Sequence, residues 1–219
     1  MKKIGYLLFL ILAITLMFGG SALAQGDNSY YFVTYYSNAN TSGAPDATLR
    51  IVYDGDLATT ETEGVPNTNI WADIYVFDDS EELQDCCACE ISPDGLLSES
   101  VNKQLVNNAV SVTGRAEINR GVIKVVGDPT GDPTSIYVKD PAPGLRGTMT
   151  HVQSTSTTVS NTSPYSSTGK APFYVTEAPL ADSNLSPAES EALSESCSLA
   201  ITLGSGFGVC SCTLEDHDF

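Results

Sequence analysis

The sequence predicts a mainly β protein: an antiparallel β-sandwich, immunoglobulin-like or jelly-roll, with one short C-terminal helix stapled to it by disulfides. Three observations carry this expectation. About eight short runs of β-forming residues recur between turn residues, at the spacing of sandwiches and barrels. No long helical pattern alternates with them, which argues against a parallel α/β sheet. The six cysteines fall into two tight groups, Cys86, Cys87 and Cys89 in one and Cys197, Cys210 and Cys212 in the other.

The runs differ in how they ask to be buried. Residues 29–36 are dense in aromatic and β-branched side chains on both faces. Thr48–Tyr53 alternates, with Leu49, Ile51 and Tyr53 on one face and Arg50 on the other. Ile70–Phe77 is apolar on both faces except at Asp73, the pattern of a central strand. Pro93-Asp94-Gly95 is a turn triplet, because Pro presets φ and Gly supplies a positive φ, and it introduces a strand over 96–101. Gly121–Val126, 135–139, Leu145–Gln153 and Phe173–Thr176 complete the set. Ser186-Pro187-Ala188-Glu189 has the form of a capping box with Pro at the first helical position, so a helix is expected near 187–201, ending before Gly204. Ala188, Ala192, Leu193 and Cys197 would form its apolar stripe, with Glu189, Glu191 and Glu195 on the wet face. Gly127–Thr134 holds a direct Asp-Pro-Thr repeat and reads as a loop, as does the Ser/Thr-rich segment 154–168.

Residues 1–24 are read as a secretory signal peptide rather than as fold. Lys2 and Lys3 precede an apolar run over 4–18, and Ala22-Leu23-Ala24 forms a small-residue cleavage site. Residues 25–219 are then one secreted β-sandwich domain, with no membrane span expected after cleavage. The whole chain carries 10 basic and 27 acidic residues. Removing Lys2 and Lys3 leaves 10 − 2 = 8 basic residues and a net charge of 8 − 27 = −19. Such a surface repels phosphates, so nucleic acid is excluded as a partner.

An exported chain meets an oxidising compartment, so an even cysteine count suggests disulfides. If each group pairs only with the other, six pairings remain open. Pairing within a group would strain adjacent residues or close very tight rings. The rival chemistry is a thiolate site for zinc or copper(I), but neither group has the C-x2-C spacing of zinc knuckles. A bridge between the groups would place the helix near the loop following the strand 70–77.

No catalytic constellation is present. There is no G-x-S-x-G and no H-E-x-x-H, and the two histidines are His151, in an expected strand, and His217, in an acidic tail. The chain is therefore expected not to be an enzyme, with no catalytic residues and no cofactor other than calcium, the cation its carboxylate clusters suit. Asp54 with Asp56, and Asp78 with Asp79, are the calcium candidates, although neither pair matches an EF-hand loop. Gly204–Gly208 follows a helix where a phosphate loop should follow a strand, so it reads as a turn that delivers Cys210 and Cys212. Sequons stand at Asn40, Asn161 and Asn184. The aromatic segment Tyr30, Tyr31, Phe32, Val33, Tyr35 and Tyr36 has two readings: a first strand inside the chain's own sandwich, or an assembly strand lent to a neighbouring subunit.

The stretch from Ile74 through Cys86-Cys87-Ala88-Cys89 to Leu97 resembles a segment of uncharacterised secreted bacterial proteins. Gly121–Val126 and the Leu203–Cys212 segment resemble the remaining motifs of the same proteins. The resemblance implies export and the joining of the two cysteine groups in one unit, and it carries over no site residue. The expected function is an exported, non-enzymatic structural protein of the cell surface or extracellular matrix. Its specific form is a pilus-like filament subunit whose partners are copies of itself or other surface proteins. The alternative is a secreted glycan- or calcium-binding sandwich module.

Overall fold

A computed structural model describes residues 30–55, 69–110, 118–134, 141–154 and 173–212. The signal-peptide residues, Asp56, His217, the strand expected over 135–139, most of the Ser/Thr-rich segment and Asn161 lie outside them. Among the described residues nine strands form two antiparallel sheets. They are β1 (Tyr31–Ser37), β2 (Thr48–Tyr53), β3 (Ile70–Asp78), β4 (Leu83–Ile91), β5 (Leu96–Ser100), β6 (Arg120–Asp128), β7 (Leu145–Ser154), β8 (Phe173–Pro179) and β9 (Ala181–Asp182). One sheet runs β4-β3-β6-β1-β9 and the other β5-β2-β7-β8. Only β3–β4 and β7–β8 are consecutive neighbours in one sheet; every other connection crosses to the opposite sheet. The helix α1 (Pro187–Leu203) completes the described elements, with a single wide helical turn over Val101–Leu105 closed by Val106 N–H on the Val101 carbonyl.

The expected sandwich is present, with a third layer that explains the two-faced apolar strands. Phe32, Tyr36, Leu49, Ile51, Ile70, Ile74, Val76, Ile123, Val125 and Met149 fill the space between the sheets. Tyr31, Tyr75, Cys86 and Val126 point out of the opposite face of the five-stranded sheet, where Leu185, Leu193 and Cys197 cover them. The inner faces of β1 and β3 thus pack on the partner sheet, while α1 and the residues before it cover Tyr31 and Tyr75 on their outer faces. Ile74 sits at the middle of this arrangement with no exposed surface. Ile74→Ala should cost about 2–5 kcal/mol through lost burial and a residual cavity. Val52→Ala, on a half-exposed face, should fall within about 0.5 kcal/mol of the parent. Urea unfolding of the two variants checks the contrast.

The helix departs from its expected faces. Ser186 caps it, its hydroxyl accepting from Glu189 N–H at 3.1 Å. The buried stripe is Ser190, Leu193, Cys197 and Ala200, while Ala188 and Ala192 are exposed. Glu189 is not on the wet face: it turns to the sheet, accepting from the Tyr31 hydroxyl at 2.6 Å and Lys124 Nζ at 2.8 Å. An acidic residue in the first turn suits the helix dipole, and here it also ties α1 to β1 and β6. Burial raises the Glu189 pKa, but the bonds from Lys124 and Tyr31 outweigh it and hold the carboxyl below its ordinary value.

Candidate functional site

Cys86, Cys87 and Cys89 lie on strand β4, where the sequence suggests a loop, and the other three cysteines are brought to it. Alternation along this edge strand sends Cys87 and Cys89 into the inter-sheet core and Cys86 under the helix. Three bridges join the two groups: Cys86–Cys197, Cys87–Cys210 and Cys89–Cys212, with Cα–Cα separations of 5.8, 5.3 and 5.4 Å. The first fixes the helix; the other two fix the segment after it. That segment lies alongside β4 as a short parallel partner, Cys86 N–H donating to the Gly208 carbonyl and Cys210 N–H to the Cys86 carbonyl. It covers an otherwise open sheet edge. Gly208 takes φ of 83° there, and a side chain would strike Val110 and Ala200, so the Gly-rich turn is a packing requirement. The sulfurs of Cys87, Cys89 and Cys212 lie within 4.8 Å of one another, but all three are in S–S bonds, which offer no thiolate to a metal.

The aromatic segment forms β1, paired residue for residue with β6 from Tyr31–Val126 to Ser37–Arg120. Tyr31, Phe32 and Tyr36 are buried, and Val33 is partly so. Burial, and then Glu189, push the Tyr31 phenol above its ordinary range. Burial, and then the carboxylates of Asp78, Asp85 and Asp79, do the same to Tyr36, whose hydroxyl donates to the Phe77 carbonyl. Tyr35 stays exposed and stacks on His151 with ring centroids 4.0 Å apart. His151 is buried, and burial lowers its pKa against a raising hydrogen bond with the Tyr35 backbone.

The described calcium candidates, Asp54, Asp78 and Asp79, each have internal partners. Asp78 builds the β3–β4 turn: its Oδ1 accepts from the N–H groups of Ser80 and Glu82, and its Oδ2 from the Gln84 amide. Asp79 pairs with Arg120 at 2.7 Å, and Asp54, at the end of β2 in the other sheet, pairs with Arg146 at 3.3 Å.

Two further features emerge, one that no local pattern announces and one whose surroundings the sequence does not show. An open polar cleft of about 660 Å³ is lined by Ser37, Asn38, Asp79, Asn119, Arg120, Gln153 and Ser154. These residues come from β1, the β3–β4 turn, the start of β6 and the end of β7, so no local pattern announces them. Tyr35 borders it, its hydroxyl accepting from Gln153 Nε2 at 3.0 Å. The second is Asp73, fully buried on β3 with neither carboxylate oxygen hydrogen-bonded. Burial, and then the charges of Asp128 and Asp132, push its carboxyl up to about 8.

Together these features define a disulfide-pinned β-sandwich with a helix docked on one outer face. No family model, curated protein or solved structure matches the chain. Among the described residues no helix is long and apolar enough to cross a membrane.

Proposed function

We propose that this is an exported, non-enzymatic structural protein of the cell surface or extracellular matrix. The observation that carries the reading is the cluster of three bridges, which clamps the helix and the C-terminal segment onto one edge strand. Such hardening suits a protein that must persist in an oxidising, protease-rich setting. The filament version acts through β1. That strand completes the chain's own sheet, so assembly would proceed by exchange, a neighbour's β1 taking the same register on β6. Head-to-tail exchange would give an open fibre.

A second reading is favoured by the cleft. Amides, hydroxyls and one charge pair beside an exposed tyrosine are the groups that hold a sugar, so this face suits a glycan. One set of measurements separates the readings. Secreted protein is examined by size exclusion with light scattering, by electron microscopy and on a glycan array. Concentration-dependent fibres support exchange; a strict monomer at every concentration removes the filament version. A glycan signal lost in Gln153→Ala moves the assignment to the binding module.

A further inference from the structure

The Asp-Pro-Thr repeat has no part in the sandwich core, yet it folds over one defined place. On its outer face β3 presents Trp71, Asp73 and Tyr75 in turn. The loop after β6 crosses this row. Gly131, at φ of 71°, lies so close to the Trp71 indole that a side chain there would overlap the ring. Two residues on, the Pro133 carbonyl accepts from the Tyr75 hydroxyl at 2.8 Å. Asp73 lies between these two contacts, so it faces the underside of the loop, with no exposed surface and no hydrogen bond to either oxygen.

The loop brings two more carboxylates. Strand register sets Asp73 opposite Val126 and Trp71 opposite Asp128, so Asp128 is the diagonal neighbour of Asp73 on the same face. Asp128 Oδ2 organises the loop, accepting from Thr130 Oγ1, Gly131 N–H and Asp132 N–H. Asp132 Oδ1 accepts from the hydroxyl and N–H of Thr134. These bonds use one oxygen of each loop carboxylate and leave Asp128 Oδ1 and Asp132 Oδ2 outside the scheme. Among the described residues no protein cation serves the group. Lys124, opposite Tyr75, is directed to Glu189 and over the Phe77 ring, 5.1 Å from its centroid, away from Asp73. On the other side, Asp73 is paired with Ala88 of β4.

We propose that Asp73, Asp128 and Asp132 form a binding site for calcium, with the repeat loop as its cover. A buried carboxylate without a donor, beside two others, needs positive charge, and calcium takes carboxylates, carbonyls and water in flexible coordination. The three carboxylates are not gathered within 4.8 Å of one another. Binding therefore draws the exposed Asp132 side chain inward over Asp73. This site shares no residue with the carboxylate pairs 54/56 and 78/79, and it does not depend on the structural role proposed above.

Trp71 is the chain's single tryptophan and lies against the loop, which makes it the reporter. Chelator-treated mature protein is titrated with terbium, following emission sensitised through Trp71, and then with calcium as competitor. Saturable emission, displaced by calcium with an apparent Kd of about 0.1–1 mM, is expected from a site of this kind. Asp73→Asn and Asp132→Asn should each weaken binding about tenfold or more, while Asp79→Asn and Asp54→Asn leave it unchanged. The Asp132 variant lies on the surface and keeps the test decisive if Asp73→Asn misfolds. Absence of saturable emission, or emission undiminished in Asp132→Asn, overturns the proposal and leaves a proton as the occupant of Asp73.

Discussion

Reduction of the three bridges is expected to unfold the protein. Cys87–Cys210 joins residues 123 positions apart, and in the chain-entropy treatment a loop of that length stabilises the fold by about 5 kcal/mol. With that bridge in place, Cys86–Cys197 closes a ring of roughly fifteen residues, a further contribution of about 3 kcal/mol. Cys89–Cys212 then closes a ring of only about six residues and adds about 2 kcal/mol. The sum, about 10 kcal/mol, is comparable with the whole stability of an ordinary domain, about 5–15 kcal/mol. Guanidinium unfolding with and without a phosphine reductant measures this, with thiol titration to establish that the bridges are open. Among paired Cys→Ala variants that keep the other two bridges closed, loss of the 86/197 pair should cost most, about 3 kcal/mol, and loss of the 87/210 or 89/212 pair about 2 kcal/mol each. The 86/197 pair should free α1 selectively, because Leu193 and the Glu189 contacts are the helix's other main attachments to the sheet. An unchanged midpoint with free thiols would show that packing alone holds the fold.

The same bridges mark where local pattern stops being informative. Strand β2 and the start of α1 were legible because each carries its own instruction: alternation in Thr48–Tyr53, and a capping serine followed by proline at 186–187. Strand β4 carries none. Gln84, Asp85, Cys86, Cys87 and Cys89 are all buried, so no alternation survives, and its acidic and cysteine residues look like a loop. Its burial on two faces depends on a helix about a hundred residues away. Glu189 was misplaced for a related reason. Its helical position faces water unless a tyrosine and a lysine from two other strands stand opposite, and only the tertiary fold brings Tyr31 and Lys124 there. The aspartates read as a calcium pair at 78 and 79 hold a turn and a surface ion pair, the ordinary work of Asp at a hairpin. Asp73, by contrast, was visible as the one charge in an apolar strand, but its neighbours come from another strand and a loop and could not be read from spacing.

In chelator, the buried Asp73 carboxyl should make stability fall as pH rises, opposite to the behaviour of a salt-bridged aspartate. The folded protein holds this proton up to about pH 8, whereas the unfolded chain releases it near the ordinary 3.8. Below 3.8 both states are protonated and the group contributes nothing. Between the two values the folded state binds more protons than the unfolded state, so stability declines with a slope of up to about 1.4 kcal/mol per pH unit. Above 8 the penalty is complete, on the order of 5 kcal/mol. Among the described residues, the groups around it do not cancel this. Asp128 and Asp132 from the loop raise the carboxyl further, Tyr75 stays protonated with its hydroxyl on Pro133, and Lys124 is held by Glu189. His151 and Glu189 titrate with the opposite sign, each losing stability as pH falls, so the difference between wild type and Asp73→Asn isolates the effect. Urea unfolding in EDTA from pH 4.5 to 8.5 should show the variant gaining on wild type steadily and exceeding it at the alkaline end. Parallel curves would place the Asp73 charge in contact with a compensating group. Saturating calcium should raise the wild-type curve most at pH 8 and raise the variant less, because a bound cation neutralises the same carboxylate that a proton neutralises in its absence.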